Sequence, residues 1–158
     1  MDVDELQHAL GGIVLEAAYL ERVLRAVFSA LVGSKYATVA ARRLTAAALI
    51  EDCEQITNYH TGLPRAAKDA LFAALRACHE ANRERNRVIH DTWATRPGSA
   101  LVTLPGAGPE SHQVTVAAHT LAEMRELTGQ VAHAADALQA AMTQALGAGW
   151  ELAAPGGR

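Results

Sequence analysis

Between Val3 and Val32 the chain repeats apolar side chains at spacings of three and four. Leu6, Leu10, Ile13, Ala17, Leu20, Leu24, Val27, Phe28 and Leu31 carry the repeat. That is the period of one helix face, sustained far beyond the length of an ordinary strand. Asp2 and Asp4 stand where the helix dipole favours negative charge, and Gly33-Ser34 ends the run. Gly11-Gly12 is a weak point inside it, a candidate bend. A chain that opens this way must find partners for a long amphipathic helix. Composition points to more helices: aromatics are only 4% and alanine, the best helix former, is abundant.

A second helix is expected over Ala37 to Tyr59, with Leu44, Ala48, Leu49, Cys53 and Ile56 on its apolar face. Thr61-Gly62-Leu63-Pro64 stops it. A third helix starts near Pro64 and runs through Leu71, Leu75, Cys78, Ala81 and Val88 to about Trp93, ahead of Pro97-Gly98. Leu101 to Leu104 and His112 to Val116 read as two short strands about the loop Pro105 to Pro109. A fourth helix opens at Thr120, where Thr120 and Glu123 have capping-box spacing, and closes at Gly147. The expected fold is therefore all-α, a helical bundle of four main helices with a short β-hairpin between helices three and four. Residues 1–150 read as one domain and 151–158 as a flexible tail.

Several classes are excluded at this level. With 50% hydrophobic and 20% charged residues the chain is globular rather than disordered. A net charge of −3 argues against a surface that is basic throughout. Cys53 and Cys78 are too few for a disulfide scaffold or a cysteine zinc site, and they read as small buried hydrophobes. His8, His60, His112, His119 and His133 have no metal-ligand spacing, so no metal and no cofactor are expected. No run of about 18 apolar residues suggests a membrane span. The opening MDVDELQH lacks signal-peptide character, so the expected compartment is cytoplasmic.

The end of the third helix holds the candidate chemistry, Ala81 to Trp93. On a helical wheel with Leu71 at zero, Leu75, Cys78 and Ala81 define an apolar arc centred near ~320°, and Arg85 falls at about 320°. A permanent charge on that arc requires a carboxylate, an interface or a bound anion. Asn82, Asn86 and His90 border the arc at successive turns. Arg85 and His90 lie ~140° apart, so two packed copies of the helix would unite them more readily than one. Residues 65–96 hold seven of the 14 basic residues and four acids, a local net of +3 in a chain of −3.

The run Arg85-Asn86-Arg87-Val88-Ile89-His90 resembles the arginine-polar-x3-histidine form of the HEPN superfamily motif. The motif's place, late in a long helix and followed by another, is similar too. The resemblance implies metal-independent RNA cleavage by a toxin or defence effector. It assigns phosphate stabilisation to Arg85, acid–base work to His90 and either orientation of His90 or a phosphate contact to Asn86, with Arg83 and Arg87 as RNA-backbone contacts. Arginine holds phosphate oxygens in a planar fork, and imidazole titrates near neutrality. It also implies a homodimer, an RNA substrate and an antitoxin or regulatory partner. Thr92 stands where one branch of the family carries a modifiable tyrosine, so that regulation is not expected.

The bland readings stand beside these. Arg85 reads equally as the ion-pair partner of Glu16, Glu54 or another acid, and His90 as a helix-end cation favoured by the dipole. Arg83 and Arg87 fit a solvated face, and Trp93 fits a core better than a base-stacking platform. A non-catalytic helical adaptor, or nucleotide- or protein-binding module, is the alternative function. The wide apolar arc of helix one, including Val14, Leu15 and Ala18, exceeds the third of a circumference that one core needs. It is a second reason to expect a dimer.

Overall fold

The computed structural model describes residues 2–89, 92–96, 99–104 and 115–150. Five helices and three strands follow in order: α1 (Val3–Val32), α2 (Ala37–Ala41), α3 (Ala46–Tyr59), α4 (Arg65–Ile89), β1 (Thr92–Arg96), β2 (Ser99–Leu104), β3 (Thr115–His119) and α5 (Leu121–Leu146). Helices form the body of the fold, as the apolar period requires. Two features differ from the expected four helices and a hairpin.

First, the second expected helix is two. Thr45 adopts an extended backbone and its hydroxyl accepts from the Ala48 N–H, which starts α3 afresh. A threonine that satisfies an orphan N–H in this way competes with helix continuation. Second, the hairpin is a three-stranded antiparallel sheet in the order β1-β2-β3. Thr92 to Arg96, read as the end of a helix, pairs with β2 in a register from Thr92↔Thr103 to Arg96↔Ser99. β3 pairs with β2 from Ala100↔His119 to Leu104↔Thr115. Thr92, Trp93 and Thr95 are strand formers, and pairing overrides the helical spacing that carries past Val88. The loop Pro105 to Pro109, His112 and the tail 151–158 lie outside the described residues.

α1 is continuous through Gly11 and Gly12, so the expected weak point is not a break. Its start is fixed by a capping box between Asp2 and Glu5, and its end by Gly33, whose φ of 63° is the left-handed conformation glycine adopts without penalty. α5 packs against α1 and α4, and α3 packs against both α1 and α4. One core joins all five helices, with Ile13, Leu24, Leu49, Leu71, Leu75, Val131 and Leu138 fully enclosed. Trp150 extends it past α5, with its indole Nε1–H donating to Thr143 Oγ1 at 3.1 Å. Among the described residues no helix is long and apolar enough to cross a membrane.

The predicted capping box at Thr120 is present. Thr120 Oγ1 accepts from the Glu123 N–H at 3.2 Å, and Glu123 Oε2 accepts from the Thr120 N–H at 2.7 Å. The backbone donor of Thr120, more than the nearby His119, holds the Glu123 carboxyl below its ordinary range. A lowered folded-state pKa contributes stability that is present above the unfolded value. It is lost as pH falls through the lowered one. Thr120→Ala is expected to lower stability by about 1 kcal/mol. An unchanged urea midpoint would show that α5 does not depend on this cap.

Candidate functional site

The last two turns of α4 place the arginines. Buried residues of α4 include Leu71, Leu75, Cys78, Ala81, Asn82 and Val88. Arg85 lies within that arc, and its side chain is only 19% exposed. Its Nη1 donates to Asn86 Oδ1 at 2.7 Å, so the two neighbours are locked together. Its Nη2 is 4.0 Å from Glu21 Oε1 on α1. Its Nε is buried and has no hydrogen-bond partner.

Of the partners the sequence allows Arg85, the carboxylate in place is Glu21, and not Glu16 or Glu54. The contact is long. Charge-assisted N–H···O bonds close to roughly 2.7–2.9 Å, and a paired guanidinium commonly donates twice. The other oxygen of Glu21, Oε2, accepts from Arg25 Nη2 at 2.9 Å, one turn along α1. Arg25 Nε is likewise buried without a hydrogen-bond partner. One carboxylate thus stands between two guanidiniums, and the cluster carries a net +1. Sequence reasoning missed both Glu21 and Arg25. Their signal was available, an acid and an arginine one turn apart in a helix that is otherwise mainly apolar.

Arg83 and Arg87 are more exposed, at 61% and 66%, and both reach Glu84. Arg83 approaches at 3.1 Å and Arg87 at 3.4 Å. Surface pairs of this kind are weak and exchange readily with other anions. His90 lies outside the described residues, so its relation to Arg85 is not part of the geometry. Asn86 is the member of the expected set that the structure places in direct contact with Arg85.

A cavity of about 290 Å³ opens between the end of α4 and the start of α5. Val88, Met124 and Leu127 give it apolar walls, and Glu84, Glu123 and Glu126 give it a negative rim. Glu123 and Glu126 disfavour an anion inside this cavity, which also has His119 and Gln130 in its lining, and the Arg25–Arg85 cluster suits an anionic ligand better. Among the described residues, no group of three or more histidines, cysteines or acids could hold a metal ion. Cys53 and Cys78 are free and buried, and burial pushes both thiols up to about 12.

Chemically, the Arg85 cluster can bind and stabilise negative charge. It cannot move protons near neutrality, because guanidinium does not deprotonate in that range. Acid–base work would have to come from another side chain brought to the same cleft. No family model matches the chain, and neither a curated protein nor a solved structure matches it.

Proposed function

We propose that this protein is a HEPN-like, metal-independent endoribonuclease of a toxin–antitoxin or defence system, acting as a cytoplasmic homodimer. The observation that carries the reading is the state of Arg85. It is partly buried, tied to Asn86, and held by its nearest carboxylate only at 4.0 Å. A guanidinium fixed in place with unused donors is suited to charge that develops on a phosphoryl group.

In this reaction a base takes the proton of the ribose 2′-OH. The 2′-oxygen attacks the adjacent phosphorus, and the bond to the 5′-oxygen breaks. A proton passes to the leaving oxygen, which departs as a 5′-hydroxyl. His90 supplies the acid–base function, Arg85 stabilises the phosphoryl oxygens, and Asn86 holds Arg85 in register. Arg83 and Arg87 contact the flanking RNA backbone by exchanging Glu84 for phosphate.

The dimer belongs to the same proposal. Val14 and Leu15 are 46% and 72% exposed on α1, and Ala18 is exposed beside them. Val14, Ala18, Glu21 and Arg25 follow at helical spacing along one stripe. A second copy seated on the apolar end of that stripe would bring the Arg85 cluster to the seam. Sedimentation at micromolar concentration is expected to give twice the chain mass of 16.7 kDa. A monomer would remove the dimer from the proposal.

The adaptor reading has one observation in its favour, since Glu21 belongs to the same chain and already approaches Arg85. The deciding experiment is incubation of the purified protein with a mixed-sequence RNA in EDTA. Fragments with new 5′-hydroxyl ends support the nuclease. An intact RNA, with the dimer present, supports the adaptor.

A further inference from the structure

We propose that Arg25 and Arg85 form a single clamp for an RNA phosphodiester, and that Glu21 is its built-in competitor. The inference rests on the RNA-directed reading above, but it concerns binding and not bond cleavage.

The geometry supplies three reasons. The two guanidiniums come from different helices and meet on opposite oxygens of one carboxylate, Arg25 on Oε2 at 2.9 Å and Arg85 toward Oε1 at 4.0 Å. A phosphodiester presents its two non-bridging oxygens in much the same way, with one negative charge shared between them. Glu21 is thus the protein's own mimic of the ligand.

Second, donors outnumber acceptors. Each guanidinium offers several N–H groups. Around them stand Glu21 and the Asn86 amide oxygen, and both Nε atoms are buried with no hydrogen-bond partner. Buried donors left unmade are costly, so a further oxyanion is favoured at this cluster.

Third, Glu21 is able to leave. Its side chain is 29% exposed, and the Arg25 side chain 36% exposed, so both reach solvent. Glu21 borders the buried stripe of Ala17, Leu24 and Phe28, but its own carboxylate already reaches solvent, so a rotation outward would open the clamp. Intramolecular competition of this kind lowers the affinity for isolated anions.

The test uses a fluorescein-labelled, mixed-sequence 2′-O-methyl RNA. It keeps the phosphates but lacks the nucleophilic 2′-OH, so it cannot be cut by the proposed route. Anisotropy titrations of the full chain compare wild type, Glu21→Gln, Arg25→Gln and Arg25→Lys across a salt series. Glu21→Gln is expected to bind about tenfold more tightly, as expected from removal of one competing charge-assisted contact. Arg25→Gln is expected to bind about tenfold more weakly, with its log–log salt slope reduced by roughly 0.7 for the lost phosphate contact. Arg25→Lys should keep the slope while recovering only part of the affinity, because the ammonium lacks the fork. Arg25 is partly exposed, so its variants test the clamp even if Glu21→Gln is poorly folded.

Affinity of Arg25→Gln equal to wild type overturns the clamp, and so does an absence of binding by every form. A folded Glu21→Gln that binds no more tightly overturns the competitor role. Failure of the nuclease reading looks different: ordinary RNA stays intact while the ranking of affinities on 2′-O-methyl RNA still holds.

Discussion

Arg85→Ala and His90→Ala are each expected to lower RNA cleavage by about 10²–10⁴-fold, the usual consequence of losing one positioned acid–base or charge-stabilising group. The two losses should differ in kind. Arg85 is tied to Asn86 and faces Glu21, so its removal also leaves that carboxylate to Arg25 alone. Arg85→Lys should recover only part of the rate, because lysine is a point charge without the planar fork. EDTA is expected to change nothing. The rate should vary with pH near neutrality as an imidazole titrates. Equal cleavage by wild type and His90→Ala, with both variants melting like wild type, would end the proposed acid–base role.

The largest expected effect on folding comes from Leu75→Ala. Leu75 is fully enclosed on α4, the helix that packs against α1, α3 and α5 together. Truncation there removes buried methyl groups and leaves a space that three neighbouring helices cannot all move to fill. The expected cost is about 2–5 kcal/mol. At roughly 2–4 °C per kcal/mol for a chain of this size, the midpoint of thermal unfolding should fall by roughly 4–20 °C. Leu15→Ala is the contrast. Leu15 is 72% exposed, so the truncation should leave a monomer's stability nearly unchanged while weakening self-association. A Leu75→Ala midpoint equal to that of wild type would mean that this part of the core is looser than its burial indicates.

Local signals read well from sequence where a cap and an apolar period agree. Both ends of α1 and the start of α5 coincide with Asp2, Gly33 and Thr120, residues whose side chains or backbone freedom act within one turn. The period alone was a weaker guide. Apolar spacing runs across Arg42 to Thr45, yet Thr45 begins a new helix there. Thr45 is a legible cap, but the apolar positions on either side of it also fit one longer face. The end of α4 failed for a different reason. Strand β1 exists through pairing with β2, a contact between segments that a helical wheel does not consider.

The site divides in the same way. The partly buried position of Arg85 follows from its place on the wheel, and its contact with Asn86 is between sequence neighbours. Glu21 is 64 positions away from Arg85 in the sequence, and only the packing of α1 beside α4 makes them partners. Single-helix reasoning could state that the charge needed a carboxylate, an interface or an anion, but not which, nor which acid.

The two native thiols are both buried, and both are held protonated up to a pH of about 12. Thiolates, not thiols, attack maleimides and the methanethiosulfonate group of spin labels, so at neutral pH these buried cysteines form a nearly dark background. A single cysteine introduced at an exposed position outside the α1 stripe, at Tyr59 on α3 for instance, would then be the one position that takes a spin label. Distances between protomers in solution could be measured on an otherwise native chain, with neither internal cysteine replaced.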